Sequence, residues 1–214
     1  MKTYFRPLTI QDKTQLLDLF KENPKVYTNY TDKDFQSNFA LTLGKELTNP
    51  LCFFPGIFIE NELHLSLYLK EVREAPSFIL GHGMFKKTSF TTFLEPEFMN
   101  QFIKLDKAIY DEMIIKRQLN RVYYVYPIDN DLTTRSIGSY NRLCNYIKRT
   151  KNHDLFLTKF DIYTDCIIKK NTIPKYRYQR LILGNRKWPI DLALQIGFLS
   201  QKSNGSNVSP VSPS

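Results

Sequence analysis

The chain has 214 residues, 42% of them apolar and 14% aromatic, which is enough to bury one large core without disulfides or metals. Its three cysteines, Cys52, Cys144 and Cys166, are odd in number and lack zinc-ligand spacing, so neither a disulfide framework nor a zinc site is expected and buried thiols in a reducing, cytoplasmic setting are. The formal net charge of +9 admits nucleic acid, acidic head groups or phosphorylated ligands, while the absence of a long apolar run and of an apolar region after Met1 argues against a membrane span or a signal peptide.

Thr3–Leu8 reads as a short first strand. Thr9 then caps a helix, with Asp12 in its first turn and Leu16, Leu17 and Phe20 on one face. A second helix starts at Thr31, carries Phe35, Phe39 and Leu43 at four-residue spacing, and stops at Asn49-Pro50. Cys52–Ile59 reads as a strand that Pro55-Gly56 bends. Leu63, Leu65, Leu67 and Leu69 alternate with His64, Ser66, Tyr68 and Lys70, the period of a half-buried strand, and Glu60-Asn61-Glu62 joins the two as a hairpin.

After a turn at Arg73–Pro76, Ser77–Phe85 reads as a strand with Phe78, Leu80 and Met84 on one face. Pro96 suits the first turn of a long helix whose stripe is Phe98, Phe102, Leu105, Ile109 and Met113. Val122–Tyr126 is apolar on both faces, as a central strand is. Thr133 or Thr134 caps a further helix that turns Ile137, Tyr140, Cys144 and Ile147 inward. Phe160–Ile168 and Tyr176–Leu183 read as the last strands, a hairpin joined by Asn171–Pro174. The expected organisation is one domain over 1–199, with 183–199 an extension packed on it, and a flexible Ser- and Pro-rich tail over 200–214; Trp188 fits either a pin for the extension or an anchor for a partner.

The strand–helix–strand unit from Ser77 to Tyr126 needs a crossover, which makes those two strands parallel between antiparallel hairpins. The expected fold class is α/β: a mixed, twisted sheet of about seven strands with helices on both faces.

This element order, together with the opening Arg6-Pro7-Leu8-Thr9-Ile10-Gln11-Asp12, resembles the GNAT N-acyltransferase fold over roughly residues 3–183. The resemblance implies an acyl-CoA-dependent transfer to an amine, with acetyl-CoA as cofactor and no metal. In the family a Gln/Arg-x-x-Gly-x-Gly/Ala loop after the fourth strand holds the coenzyme pyrophosphate. The matching stretch here, Phe85 to Leu94, has no glycine, and Lys86, Lys87, Thr88 and Ser89 are the residues left to bind an anion there, or to form a solvated polar loop. By position Tyr146, or Tyr140, resembles the family's proton donor to the departing thiolate, and each equally fits a core tyrosine. His82, between Gly81 and Gly83, or Glu71 fits the base that an amine acceptor requires; His82 also fits a structural histidine.

Two other functions stay open. GNAT-like proteins without the coenzyme loop occur in tailed phages, so a non-catalytic virion or assembly protein with phage structural proteins as partners is one. A nucleic-acid-binding module is the other, provided that Arg142, Lys148, Arg149 and Lys151 share a face with Lys169, Lys170, Lys175, Arg177 and Arg180.

Overall fold

The computed structural model describes residues 2–22, 41–81, 83–86, 90–128, 130–188 and 191–200, with the backbone alone at 90, 91, 127 and 130–140. The expected helix start at Thr31, with Phe35 and Phe39, and the expected tail beyond Ser200 lie outside these residues.

The first strand, β1 (Thr3–Pro7), leads through Thr9 into a 3-10 turn and helix α1 (Lys13–Glu22). The Thr9–Asp12 capping box forms as the local sequence requires, and Arg6 clamps the same carboxylate at 2.6 and 2.7 Å. Residues 41–47 form helix α2, with Leu43 buried. The strands β2 (Cys52–Phe53), β3 (Pro55–Ile59), β4 (Glu62–Ser66), β5 (Leu69–Val72), β6 (Ser77–Leu80) and β7 (Met84–Phe85) follow. Glu60 and Asn61 take positive φ angles of 49° and 67°, which closes β3 and β4 into the expected hairpin.

Three segments that read as single strands are each broken at the same level of the sheet. Cys52–Ile59 breaks at Phe54, the leucine-alternating strand at Leu67-Tyr68, and Ser77–Phe85 at Gly81–Gly83. On one side of this line the strands form a four-stranded sheet, β1-β3-β4-β7. On the other they join a six-stranded sheet, β2-β5-β6-β8-β10-β9. The break also shifts the alternation. Phe78 and Leu80 face one side, whereas Met84 faces the other, against α1 and α2, and not with Phe78 as its spacing suggests.

A short helix α3 (Phe90–Leu94) precedes α4 (Pro96–Ile109), which runs on through a π-helical segment, Tyr110–Lys116. The stripe Phe98, Phe102, Leu105, Ile109 and Met113 is at most 1% exposed along its whole length. Each of these side chains contributes about 1.5–3 kcal/mol of burial. Asp106 sits on the same stripe, 2% exposed, and its carboxylate accepts the N–H groups of Phe156 (2.5 Å) and Leu157 (3.1 Å), so the buried charge is hydrogen-bonded. Strand β8 (Arg121–Pro127) is central, as its two apolar faces require. Helix α5 (Asn130–Lys151) begins three residues before the expected threonine caps, immediately after β8.

Strand β9 (Phe160–Ile168) forms as expected, but Tyr176–Leu183 is not its hairpin partner. It forms helix α6 (Arg177–Leu183). The short alternation Tyr176-Arg177-Tyr178 is overridden by a helical set, with Gln179, Ile182 and Leu183 turned inward and the Gln179 side chain accepting the Tyr176 N–H at 3.2 Å. The last strand is β10 (Leu192–Leu199), in the stretch expected as an extension. It inserts between β8 and β9 and is antiparallel to both. Gly197 allows this insertion, since a Cβ there would lie 2.8 Å from Val122 Cγ1.

The result is a mixed α/β structure with helices on both faces. Helices α4 and α5 cover one face, packed on Leu65, Leu69, Phe78 and Val122. On the opposite face α1 and α2 cover Phe54, Phe58 and Leu63, and α6 covers Ile79, Tyr123 and Leu194. No helix among the described residues is long and apolar enough to cross a membrane.

Candidate functional site

Strands β6 and β8 run parallel, as the crossover argument requires, but they pair over only three positions: Phe78 with Val122, Ile79 with Tyr123 and Leu80 with Tyr124. Beyond Leu80 the chain turns away. The Gly81 N–H donates to the Tyr68 carbonyl at 2.8 Å, and β7 then pairs with β4 through Met84 and Phe85. β8 meanwhile continues to Pro127, paired with β10. Among the described residues, the edge of β8 that held β6 therefore runs on from Val125 to Pro127 without a ladder partner. Three residues at about 3.3 Å each make a wedge about 10 Å deep.

Glycines form one wall. A Cβ at Gly81 would lie 2.8 Å from the Tyr68 ring, and one at Gly83 would lie 2.9 Å from the Phe85 ring, so the backbone here is bare because neighbouring aromatic rings fill the space. Phe85, Phe93 and Phe98 form an edge-to-face series behind it, with centroids 5.7 and 5.0 Å apart. Tyr124 and Tyr126 stand on the other wall. Burial raises the pKa of both phenols above its usual value, which keeps them protonated.

On the α1 side, Tyr68 belongs to a cluster that sequence reading misses. The Glu46 carboxylate accepts hydrogen bonds from Cys52 Sγ (2.6 Å), Tyr68 Oη (3.0 Å) and Lys70 Nζ (3.0 Å). Burial and the neighbouring carboxylate push the Cys52 thiol up to about 12. Burial likewise raises the Tyr68 phenol, and the donors around Glu46 hold its carboxyl below the usual range despite burial. The alternation placed Tyr68 and Lys70 on one strand face. Nothing local connects them to Glu46, 22 and 24 residues earlier in the chain.

The expected site residues do not all converge. Glu71 pairs with Phe78, two residues before the wedge begins, and its carboxylate accepts a 2.9 Å bond from Arg117. Lys86 follows β7, where the loop residues were expected, and its ammonium pairs with Glu62. His82, Lys87, Thr88 and Ser89 lie outside the described residues. Tyr146 is partly buried against the main core. It lies 16 residues along α5, about 24 Å from the helix start at the wedge, whereas Tyr140 is about 15 Å along it.

The two groups of basic residues also separate. Lys148, Arg149 and Lys151 end α5 near the start of β9, with Lys148 paired to Asp154 at 3.0 Å. Lys169 and Lys170 follow the end of β9, nine residues and about 30 Å away, so the patch that the sequence suggested is not one surface.

No family model matches the chain, and no curated protein matches it in sequence. Solved structures do resemble it. An acetyltransferase of GNAT family from Streptococcus pneumoniae gives a TM-score of 0.50 at 10% identity, covering 93% of this chain and 100% of that one. The PaiA N-acetyltransferase from Thermoplasma acidophilum in complex with coenzyme A gives 0.50 at 14% identity, over 91% and 98%. A spermidine N-acetyltransferase SpeG chimera from Vibrio cholerae and hSSAT gives 0.52 at 11% identity, over 96% and 100%. With its parallel central strands parting at Leu80 and Tyr124, the chain has a GNAT-like fold.

Proposed function

We propose that this chain is an acyl-CoA-dependent N-acyltransferase, and the observation that carries the proposal is the wedge between β6 and β8. An extended chain of alternating amides, such as the pantetheine arm of a coenzyme, fits there because the edge of β8 beyond Tyr124 offers backbone hydrogen bonds. The residues present fit that arm. The pyrophosphate would lie toward Lys86, Lys87, Thr88 and Ser89, where cations and hydroxyls stand in for a glycine cradle.

Acetyl-CoA bound there supplies an acyl thioester. The chain's own task is to bring an amine to the wedge, to take its proton and to give one to the departing sulfur. His82, between Gly81 and Gly83 in the sequence, is the residue proposed for the first transfer. Tyr140 is nearer the wedge than Tyr146 for the second. The Glu46 carboxylate, already holding three donors and depressed in pKa, is a poor base and a good positioner of Tyr68.

The proposal is tested by titrating the full chain with acetyl-CoA in a calorimeter and by its melting temperature. A saturable heat and a rise in melting temperature are expected; millimolar acetyl-CoA without either ends the reading. The glycine-free loop favours a second reading, a non-catalytic descendant of the fold, which that negative result would support.

A further inference from the structure

Of the chain's net excess of nine positive charges, seven fall within residues 169–190, a stretch without a single Asp or Glu. This is the connector between β9 and β10, and all seven of its lysines and arginines are exposed, with Lys169 paired to Asp191 just beyond the stretch at 2.9 Å. The remainder of the chain is close to neutral. A concentration of this kind is a self-repelling surface, and an anionic partner relieves the repulsion.

The connector is a built body. Helix α6 is fastened to the sheet by Tyr178, Ile182 and Leu183. The Trp188 indole donates to the Leu183 carbonyl at 3.1 Å, and the Trp188 carbonyl accepts from the Asn171 N–H at 2.6 Å. Its charges are thus presented from a fixed frame, which lowers the entropy lost on binding. Its two ends, Ile168 and Leu192, lie level with Pro127, so it stands at the open end of the wedge.

Aromatic rings are set among the cations. Tyr176 is 52% exposed and stacks on Tyr178, with centroids 6.0 Å apart and planes within 13°. Lys175 Nζ lies 5.5 Å from the Tyr176 ring, and the Arg186 guanidinium lies 4.0 Å over Trp188. Carboxylates have no use for a flat, half-open aromatic stack, whereas bases stack on one while lysines and arginines track the phosphates. We infer that the β9–β10 connector is a docking surface for single-stranded nucleic acid. The inference does not depend on acyl transfer, and the second basic group, at the end of α5, takes no part in it.

The test uses the full chain and a fluorescein-labelled 20-nucleotide oligo(U), read by anisotropy between 50 and 200 mM NaCl. Binding is expected to weaken at least about tenfold across that range. The triple variant Lys170→Glu, Lys175→Glu, Arg177→Glu is expected to lose about thirtyfold or more at 50 mM salt. Tyr176→Ala is expected to lose about tenfold with the salt slope unchanged, since it removes stacking and no phosphate contact. Lys148→Glu with Lys151→Glu should stay within about twofold of the parent. Circular dichroism establishes that each variant folds, and Lys175→Glu alone replaces the triple variant if that one does not. Absence of binding at 50 mM salt overturns the inference, as does full binding by the charge-reversed connector. Equal competition by poly-glutamate together with an inert Tyr176→Ala overturns it in favour of an acidic polypeptide.

Discussion

Gly81 lies directly beneath Tyr68: its N–H donates to the Tyr68 carbonyl at 2.8 Å, and a Cβ at Gly81 would lie 2.8 Å from Tyr68 Cδ1. This contact stands where β6 leaves β8, so the opening of the wedge and the packing of Tyr68 are one feature. Gly81→Ala is expected to destabilise the chain by about 1–3 kcal/mol, the usual cost of overpacking. Urea unfolding measures it, and in a Tyr68→Ala background the further cost of Gly81→Ala should be smaller. A neutral Gly81→Ala would mean that Tyr68 is free to move aside.

The Glu46 cluster makes a prediction about thiol chemistry. With its pKa up to about 12, Cys52 should react slowly with a disulfide reagent at pH 8. Glu46→Gln removes the anion that receives the thiol hydrogen, so the Cys52 labelling rate, followed by peptide mass spectrometry, should rise. The same change removes the charge that Lys70 pairs with and leaves a single oxygen where Tyr68 and Lys70 now use two, and it should cost about 1–3 kcal/mol.

Asp12 ties the first strand to the first helix, and its carboxyl is held below the usual range chiefly by the bonds from Arg6. Because the folded pKa is depressed, this contribution is complete above the unfolded value, near pH 4, and is lost as pH falls through the folded value. Asp12→Asn should therefore cost about 1–3 kcal/mol at pH 7, and the gap from the parent should narrow below pH 4. Unfolding curves at pH 7 and pH 3 check both halves. A gap that widens in acid would contradict the assignment.

If acyl transfer occurs, His82→Ala and Tyr140→Phe should each lower kcat about a hundredfold, and Tyr146→Phe should lower it little. Steady-state rates with acetyl-CoA and an amine acceptor decide this. A Tyr146→Phe variant that loses as much as Tyr140→Phe would restore Tyr146 as the proton donor.

Much of the fold was legible because its signals are local. The Thr9–Asp12 cap, the Glu60-Asn61 turn, the α4 stripe from Phe98 to Met113 and the doubly apolar β8 each follow from residues within one or two turns of each other. The parallel pairing of β6 and β8 followed as well, because a helical crossover permits little else.

Tertiary structure decided the rest. Tyr176–Leu183 satisfies two periodicities, and only the insertion of β10 beside β9 leaves helix as its place; β10 itself was hidden by Gly197, whose reason is the Val122 side chain on a neighbouring strand. The common breakpoint of three strands, the meeting of Glu46 with Cys52, Tyr68 and Lys70, and the separation of the two basic groups along β9 all depend on residues far apart in the chain. Periodicity tells which side of an element a residue faces. It carries no information on what stands opposite, because that is set by how distant segments share the space of one core.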